Sequence, residues 1–486
     1  VTRQDAQTWS RLVATAHQAG GTALIWDGGR WSGPEMLAHA AFAGAWLADL
    51  GLPSGQPIPA LLDLTSPAAI ALTVGGAAVR RPLAPLGARL TARELAPASA
   101  GLSCPVLLTE AGAESTARQV AELTGQRVVV IPDFSPSDAE LPDPGPQDIA
   151  GYLHTSGTSG TPKLVPLRQD RLAHRARVHG DLIGIGPGDC FVTASPWHHI
   201  AGMGNVAAVL ARGATILAVP RFDLDTWQRA ERLGATHSLL VPSMIEMLLA
   251  RGALRPGSVR VLIYGSAPIH PGTLRRLLDE LPGVAVVNLY GLTEGSPLTS
   301  LSADDHRLAL DHRPELLNSC GRAVPGLELR VADPDDTGEG EVWVRGPHVM
   351  LADADGWLRT GDLGRLDDDG YLFLSGRLGD KIIRGGENVH PLEVENVLAT
   401  HPAVAEAGVV GLPDRRLGQT VAAFVVPAVP EDPPEPDALA TYARERLAGF
   451  KVPTTWRFVS AMPRTASGKL QRRLLTDLVD DPVDAG

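Results

Sequence analysis

The sequence predicts an α/β protein. A large N-terminal domain, residues 1–378, would hold two helix-covered, mostly parallel sheets and a small β-barrel-like unit at about 320–376. A small α+β C-terminal domain, residues 379–486, would follow. Three observations predict this. Short apolar runs alternate with amphipathic segments along most of the chain, as expected of strands joined by crossover helices. After about residue 320 the runs become short β segments separated by Gly and Asp turns. After "GRLGDK" (376–381) the pattern changes again, to a compact mixture with a Pro-rich linker, "PEDPPEP", at 430–436.

The elements follow in order. Strands are expected at 127–131, 214–220, 237–241, 259–264 and 284–290, where β-branched and aliphatic residues run together. Helices are expected at 38–50, 169–180, 224–233, 243–251 and 271–280. The last has Pro271 in its first turn, where a fixed φ and a missing N–H are tolerated. The segments 327–331, 341–345 and 371–375 form the small β unit, and the boundary falls near Arg377 to Asp380.

Composition excludes several classes. With 486 residues, about three domains are expected. A formal charge of −12 and 5% aromatic residues argue against a nucleic-acid binder. Cys104, Cys190 and Cys320 are far apart and read as buried free thiols in a reducing compartment. The polar start carries no apolar signal core, and the uncharged stretch Ser66 to Val79 is too short to span a bilayer, so a cytoplasmic protein without membrane insertion is expected.

The stretch "YLHTSGTSGTPK" (152–163) departs from ordinary globular sequence, being all Thr, Ser or Gly from Thr155 to Thr161. A strand is expected before it and a helix after. Glycines let the backbone approach a ligand, successive N–H groups form a nest for anionic oxygens, hydroxyls add donors, and Lys163 adds a charge. Polyphosphate binding requires these features; a polar surface loop shares the composition. Neither a P-loop nor a nucleophile elbow matches.

With that loop stand "SPWHHIAG" (195–202), "YGSAP" (264–268), "YGLTE" (290–294), "GRAVPGLELRV" (321–331), "WLRTGDL" (357–363), "GRLGDKIIRGGENVHPLEVE" (376–395) and "PRTASGKLQR" (463–472). In this order the set resembles the adenylate-forming superfamily, and within it the bacterial acyl- or aryl-CoA ligases. The resemblance runs from about residue 30 to 475. It implies ATP, Mg²⁺ and coenzyme A as cofactors, and a small carboxylic acid as substrate.

It also implies roles. Thr155, Ser156, Gly157, Thr158, Ser159, Gly160 and Lys163 would cradle the phosphates. A carboxylate beside a triphosphate needs a cation between them, and Mg²⁺ prefers oxygen ligands; Glu294, with Thr155, would hold it. Thr293 would contact the α-phosphate and Tyr290 the adenine. Gly265, Ser266, Ala267 and Gly291 would line the nucleotide and acyl pockets. Asp362, in a tight turn, would accept the ribose hydroxyls with Arg377 assisting. The acid pocket would include His198, His199, Val241, Ser243, Ser266, Gly291 and Gly295, with the small residues at 291 and 295 leaving room for a bulky acid. Adjacent histidines on an extended segment point to opposite faces and chelate a metal poorly; His199 takes the family's pocket position. Lys469 would be catalytic, its cation offsetting repulsion between carboxylate and α-phosphate. Gly385 and Gly386 would line a thiol tunnel, opened when the mobile C-terminal domain swings.

Two departures stand out. Gly379 occupies the hinge position where the family has Asp or Lys, and Thr454 stands where a basic residue helps hold the CoA nucleotide. They keep open a second activity, in which acyl-AMP is released or passed to a carrier protein or partner ligase. The Ala, Gly and Pro bias fits, by association, a role in secondary metabolism.

Overall fold

The computed structural model of the chain describes residues 7–62, 66–88, 90–155, 163–219, 221–464 and 470–478. Two large sheets dominate. The nine-stranded sheet runs in the order Arg322–Ala323, Thr299–Leu301, Ala285–Tyr290, Val261–Gly265, His237–Leu240, Cys190–Thr193, Thr215–Ala218, Thr22–Trp26 and Gly29–Ser32. Its interior pairs are parallel, and its outer pairs are antiparallel. The six-stranded sheet runs Arg127–Val130, Val106–Thr109, Ile58–Leu61, Leu83–Leu86, Ile149–Thr155 and Lys163–Arg168, parallel except for the last pair.

One core joins both sheets: Leu24, Phe191 and Ile216 of the first share a cluster with Ile58, Leu83 and Leu153 of the second. Between them the helices Gly33–Asp49 and Pro67–Ala78 pack tightly, since a Cβ on Gly75 would lie 2.1 Å from the Ala40 carbonyl. The uncharged stretch from Ser66 is therefore a core helix, capped by the Ser66 hydroxyl on the Ala68 N–H at 3.0 Å. No helix among the described residues is long and apolar enough to cross a membrane.

The small β unit is an open ladder of four antiparallel strands, Glu328–Ala332, Gly340–Arg345, Leu358–Leu366 and Leu372–Arg377, not a barrel. Four strands are too few to close around filled side chains, as eight do. Beyond it, Glu387–Val389, Ile382–Arg384, Gly418–Pro427 and Val404–Asp414 form a further sheet, with Thr455–Phe458 added in parallel. Ile382, Val389, Val394, Val409 and Val421 make a separate core there.

The expected elements are present, with helix Pro271–Glu280 at the expected bounds. One connection differs. The Thr/Ser/Gly-rich stretch is followed not by a helix but by strand Lys163–Arg168, which pairs antiparallel with Ile149–Thr155 before helix Gln169–Ile183 begins. Pro166 is tolerated because this strand is at the sheet edge, where a missing N–H leaves no partner wanting.

Candidate active site

The hairpin Ile149–Thr155/Lys163–Arg168 ends in the pair Thr155 and Lys163, and Lys163 is exposed. Ser156, Gly157, Thr158, Ser159 and Gly160 lie outside the described residues. Both flanks therefore leave the sheet side by side, with the Thr/Ser/Gly segment between them.

At the end of strand Ala285–Tyr290 the Tyr290 hydroxyl donates to Asp362 Oδ2 at 2.5 Å, and Arg377 Nε lies 2.8 Å from Oδ1. Asp362 is buried inside strand Leu358–Leu366, not in a tight turn; the ladder register pairs it with Arg377. Gly361 before it takes φ +71°, and the Asp362 N–H is held by Thr360 Oγ1 at 3.0 Å. The bend comes from Gly361 and the strand resumes at once. Burial and the carboxylate push the Tyr290 phenol well above its ordinary value. Burial, with Asp362 nearby, pushes the Cys320 thiol up to about 12.

Gly265 ends strand Val261–Gly265, where a Cβ would lie 2.5 Å from the Leu289 carbonyl oxygen. Ser266 follows at φ +68°, a left-handed conformation that costs a non-glycine residue about 1–3 kcal/mol and clusters at functional sites. Ala267 is half-buried.

Thr293 and Glu294 sit in a turn closed by Gly295 N–H to Leu292 O at 3.1 Å. The loop 346–351 grips this turn from both ends. Met350 N–H donates to Glu294 O at 2.6 Å, and His348 Nε2 donates to Pro297 O at 2.7 Å. That bond fixes the proton on Nε2, and burial lowers the His348 pKa to about 4. Arg171 of helix Gln169–Ile183 donates to Val349 O, the far side of the same peptide, and the His174 ring stacks on His348 at 5.8 Å. The room expected beside the small residues is filled. A Cβ on Gly295 would meet Leu358, Leu298 and Val349 at 3.2–3.5 Å, and one on Gly291 would meet Ser296 at 2.9 Å. These glycines serve close packing instead of opening a pocket.

His198 lies in a turn closed by the His199 N–H to Pro196 O at 3.1 Å, and although His199 itself is extended the two rings lie 4.0 Å apart instead of on opposite faces. The turn folds back so far that a Cβ on Gly202 would lie 2.1 Å from the Pro196 carbonyl. A π-helical turn, Ile200–Gly204, follows directly and runs into helix Asn205–Ala211.

Val241 and Ser243 open helix Pro242–Ala250, Val241 half-buried and Ser243 exposed. Glu246 on that helix has its carboxyl raised by burial, with Arg464 nearby favouring the ionised form. Arg464 also pairs with Glu406 and bridges to Leu470. Lys469 itself lies outside the described residues.

Gly385 and Gly386, at φ +62° and +92°, form the two-residue turn between strands Ile382–Arg384 and Glu387–Val389. Both positions need left-handed backbone in such a hairpin, which explains the glycine pair locally. The turn is exposed. Just beyond it His390 Nε2 meets Glu339 Oε1 of the β unit at 2.7 Å.

The oxygen-donor pair expected for Mg²⁺, Glu294 and Thr155, suits an ion that takes one or two protein ligands and completes its shell with phosphate and water. Among the described residues no group of three or more His, Cys, Asp or Glu is placed to hold a metal without such help. Arg171, Arg175 and His348 escaped the sequence reading. For the two arginines the available signal was a string of basic residues, "RLAHRARVHG", on a helix that also carries an apolar face.

Residues 12–352 match the family described as AMP-binding enzyme, and residues 393–469 match the AMP-binding enzyme C-terminal domain. The indoleacetate–CoA ligase of Aromatoleum aromaticum is 35% identical over 370 residues, 71% of this chain and 70% of that one. The 2-succinylbenzoate–CoA ligase of Bacillus cereus is 37% identical over 352 residues, 68% and 70% of the two chains. ScoC, a fatty acid–[acyl-carrier-protein] ligase of Streptomyces coeruleorubidus, is 36% identical over 368 residues, 69% of each. Among solved structures, the amide bond synthetase McbA from Marinactinospora thermotolerans is similar at TM-score 0.86 and 30% identity, covering 97% of this chain and 99% of that one. ATP-bound MatB from Rhodopseudomonas palustris gives TM-score 0.87 at 27% identity over 97% and 99% of the chains, whereas the apo form of the same protein gives 0.76 over the same shares.

Proposed function

This chain belongs to the AMP-binding enzyme family, and from that membership we propose that it joins a small carboxylic acid to coenzyme A at the expense of ATP. The observation that carries the reading is the contact of Tyr290, Asp362 and Arg377. Three separate motifs supply side chains for one nucleoside site, at the turn where the chain passes to its C-terminal unit.

In the first step a carboxylate oxygen of the acid attacks the α-phosphorus of ATP. The bond from that phosphorus to the bridging oxygen breaks, and pyrophosphate leaves acyl-AMP behind. Lys163 and the hydroxyl-rich segment 155–160 hold the phosphates, and Thr293 the α-phosphate. Asp362, supported by Tyr290 and Arg377, takes the ribose hydroxyls. Lys469 offsets the charge that builds between the two anions. Glu294 and Thr155 would hold Mg²⁺, which supplies further neutralisation of the triphosphate. In the second step the thiol sulfur of coenzyme A attacks the acyl carbon, the carbon–oxygen bond to AMP breaks, and the thiol proton leaves with the AMP phosphate. The C-terminal unit, residues 379–486, swings about the turn Arg377–Asp380 between the steps, bringing the Gly385–Gly386 hairpin toward the acyl group. Greater likeness to ATP-bound than to apo MatB supports reading the present orientation as the one for adenylation.

The test is pyrophosphate release over a panel of acids, followed by mass spectrometry with and without coenzyme A. Acyl-CoA is the expected product. Lys469→Ala should abolish adenylation and keep the fold; unchanged adenylation would remove that lysine from the reaction.

A second reading, favoured by the likeness to an amide bond synthetase over 97% of the chain, ends at acyl-AMP. The adenylate would then go to an amine, a carrier protein or a partner ligase. Accumulation of acyl-AMP alone in excess coenzyme A selects this reading and rejects the first.

A further inference from the structure

Arg175 is 1% exposed, in the middle of helix Gln169–Ile183. Among the described residues no carboxylate pairs with it. Its Nη1 donates to the Gly204 carbonyl and its Nη2 to Asn205 Oδ1 at 3.3 Å, both neutral acceptors. A guanidinium buried in this way carries a desolvation cost that no ion pair offsets. Burial pulls its pKa down to about 10, which leaves it charged at neutral pH. His179, one turn along, is buried with neither ring nitrogen hydrogen-bonded among the described residues, and burial together with the guanidinium holds it neutral. A hydrophobic residue of the same length would fill this space more cheaply.

What the charge does is fixed by its acceptors. Gly204 ends the π-helical turn Ile200–Gly204, whose N-cap is His199. Asn205, the next residue, donates back through Nδ2 to the Ala201 carbonyl at 2.9 Å. Gly204 has no space for a side chain: a Cβ would lie 2.6 Å from Ile200 Cδ1 and 3.0 Å from Arg175 Nη2. Met203 in the same turn lies over Gly151 of the phosphate hairpin, where a Cβ would come within 2.3 Å of its Cε. A π-helical turn is a rare, wide-wound conformation that recurs at functional sites. Here it begins directly after the His198–His199 pair.

We propose that Arg175 is a positioning residue for the acid site, clamping the π-helical turn through Gly204 and Asn205 so that His199 holds one orientation toward the carboxylic acid. The proposal rests on the reading of His199 as an acid-pocket residue. It makes selectivity for the acid depend on a side chain that cannot reach it, and it separates acid recognition from nucleotide recognition.

The experiment compares Arg175→Met, Arg175→Lys, His199→Ala and the Arg175→Met/His199→Ala double variant in the full chain. KM for acid and for ATP are measured separately by pyrophosphate release, alongside the melting temperature. Arg175→Met should raise the acid KM about tenfold, the loss expected from a displacement short of ~1 Å, and leave the ATP KM within about twofold. Arg175→Lys should recover part of the loss. In the His199→Ala background, Arg175→Met should add no further loss to the acid KM, because both changes remove the same contact. A lowered melting temperature with both KM values unchanged overturns the proposal, as does full additivity with His199→Ala. If His199→Ala alone leaves the acid KM unchanged, the acid-pocket reading of His199 fails first. Should Arg175→Met not fold, Asn205→Ala removes one acceptor only; it should show the same split in smaller measure, and an unchanged acid KM there counts against the clamp.

Discussion

The phenol of Tyr290 donates to the Asp362 carboxylate at 2.5 Å, across 72 residues of sequence. An uncharged donor on a buried carboxylate orients it without neutralising it, and Arg377 holds the opposite oxygen. Hydrogen bonds to charged groups are worth about 1.5–3 kcal/mol.

Tyr290→Phe should therefore raise the ATP KM by about tenfold, since about 1.4 kcal/mol is a factor of ten. The acid KM should change little. Initial-rate kinetics with each substrate varied in turn check this, and equal effects on both would place the Tyr290 hydroxyl outside nucleotide binding.

The grip of the loop 346–351 on the Glu294 turn predicts a second split. His348→Leu leaves the Pro297 carbonyl without its donor, whereas His348→Gln can supply one. The leucine variant should lose about 1–3 kcal/mol of stability, the usual cost of a buried unpaired acceptor. It should also bind Mg·ATP more weakly in calorimetry, and the glutamine variant should recover most of both. Undiminished nucleotide binding in His348→Leu would confine the loop to a packing role.

The proposed hinge at Gly379 is open to substitution. A Cβ on Gly379 meets no atom within 4 Å, its φ is not left-handed, and the residue is exposed. Gly379→Asp should leave the melting temperature and pyrophosphate release unchanged. If the glycine limits the second step by holding neither orientation, thioester formation should rise in the variant. A fall in pyrophosphate release would show that glycine is needed for adenylation itself.

His348 also predicts a pH dependence of stability. Its folded pKa, about 4, is below the ordinary 6.5, so the folded state binds fewer protons than the unfolded chain between these values. Stability is full above about 6.5 and falls as pH drops toward 4, by up to about 3 kcal/mol from this one group. His17, His179, His237 and His306 are also lowered by burial and act in the same direction. Urea midpoints should decline from pH 7 to pH 5, with a shallower slope in His348→Gln; parallel slopes would mean that other groups carry the effect.

Some of this was legible because it is local. Helix Pro271–Glu280 follows from Pro271 and a repeating apolar face, and the Gly385–Gly386 turn follows from two residues that take left-handed backbone in succession without strain. Other elements hid. Strands Ile58–Leu61 and Leu83–Leu86 are four buried residues each, without alternation, and Pro59 and Pro85 argue against a strand although both strands are central in their sheet.

The sequence by itself determined the chemistry: which residues carry charge, which can ligate oxygen-loving ions, and which turns require glycine. Only the tertiary structure decided their use. It set Asp362 between Tyr290 and Arg377, turned the two histidine rings toward each other, filled the space beside Gly295, and buried Arg175 against the π-helical turn. The reason is range. Periodicity and turn chemistry act over a few residues, whereas a hydrogen bond or a packed surface depends on what a distant segment brings across the gap.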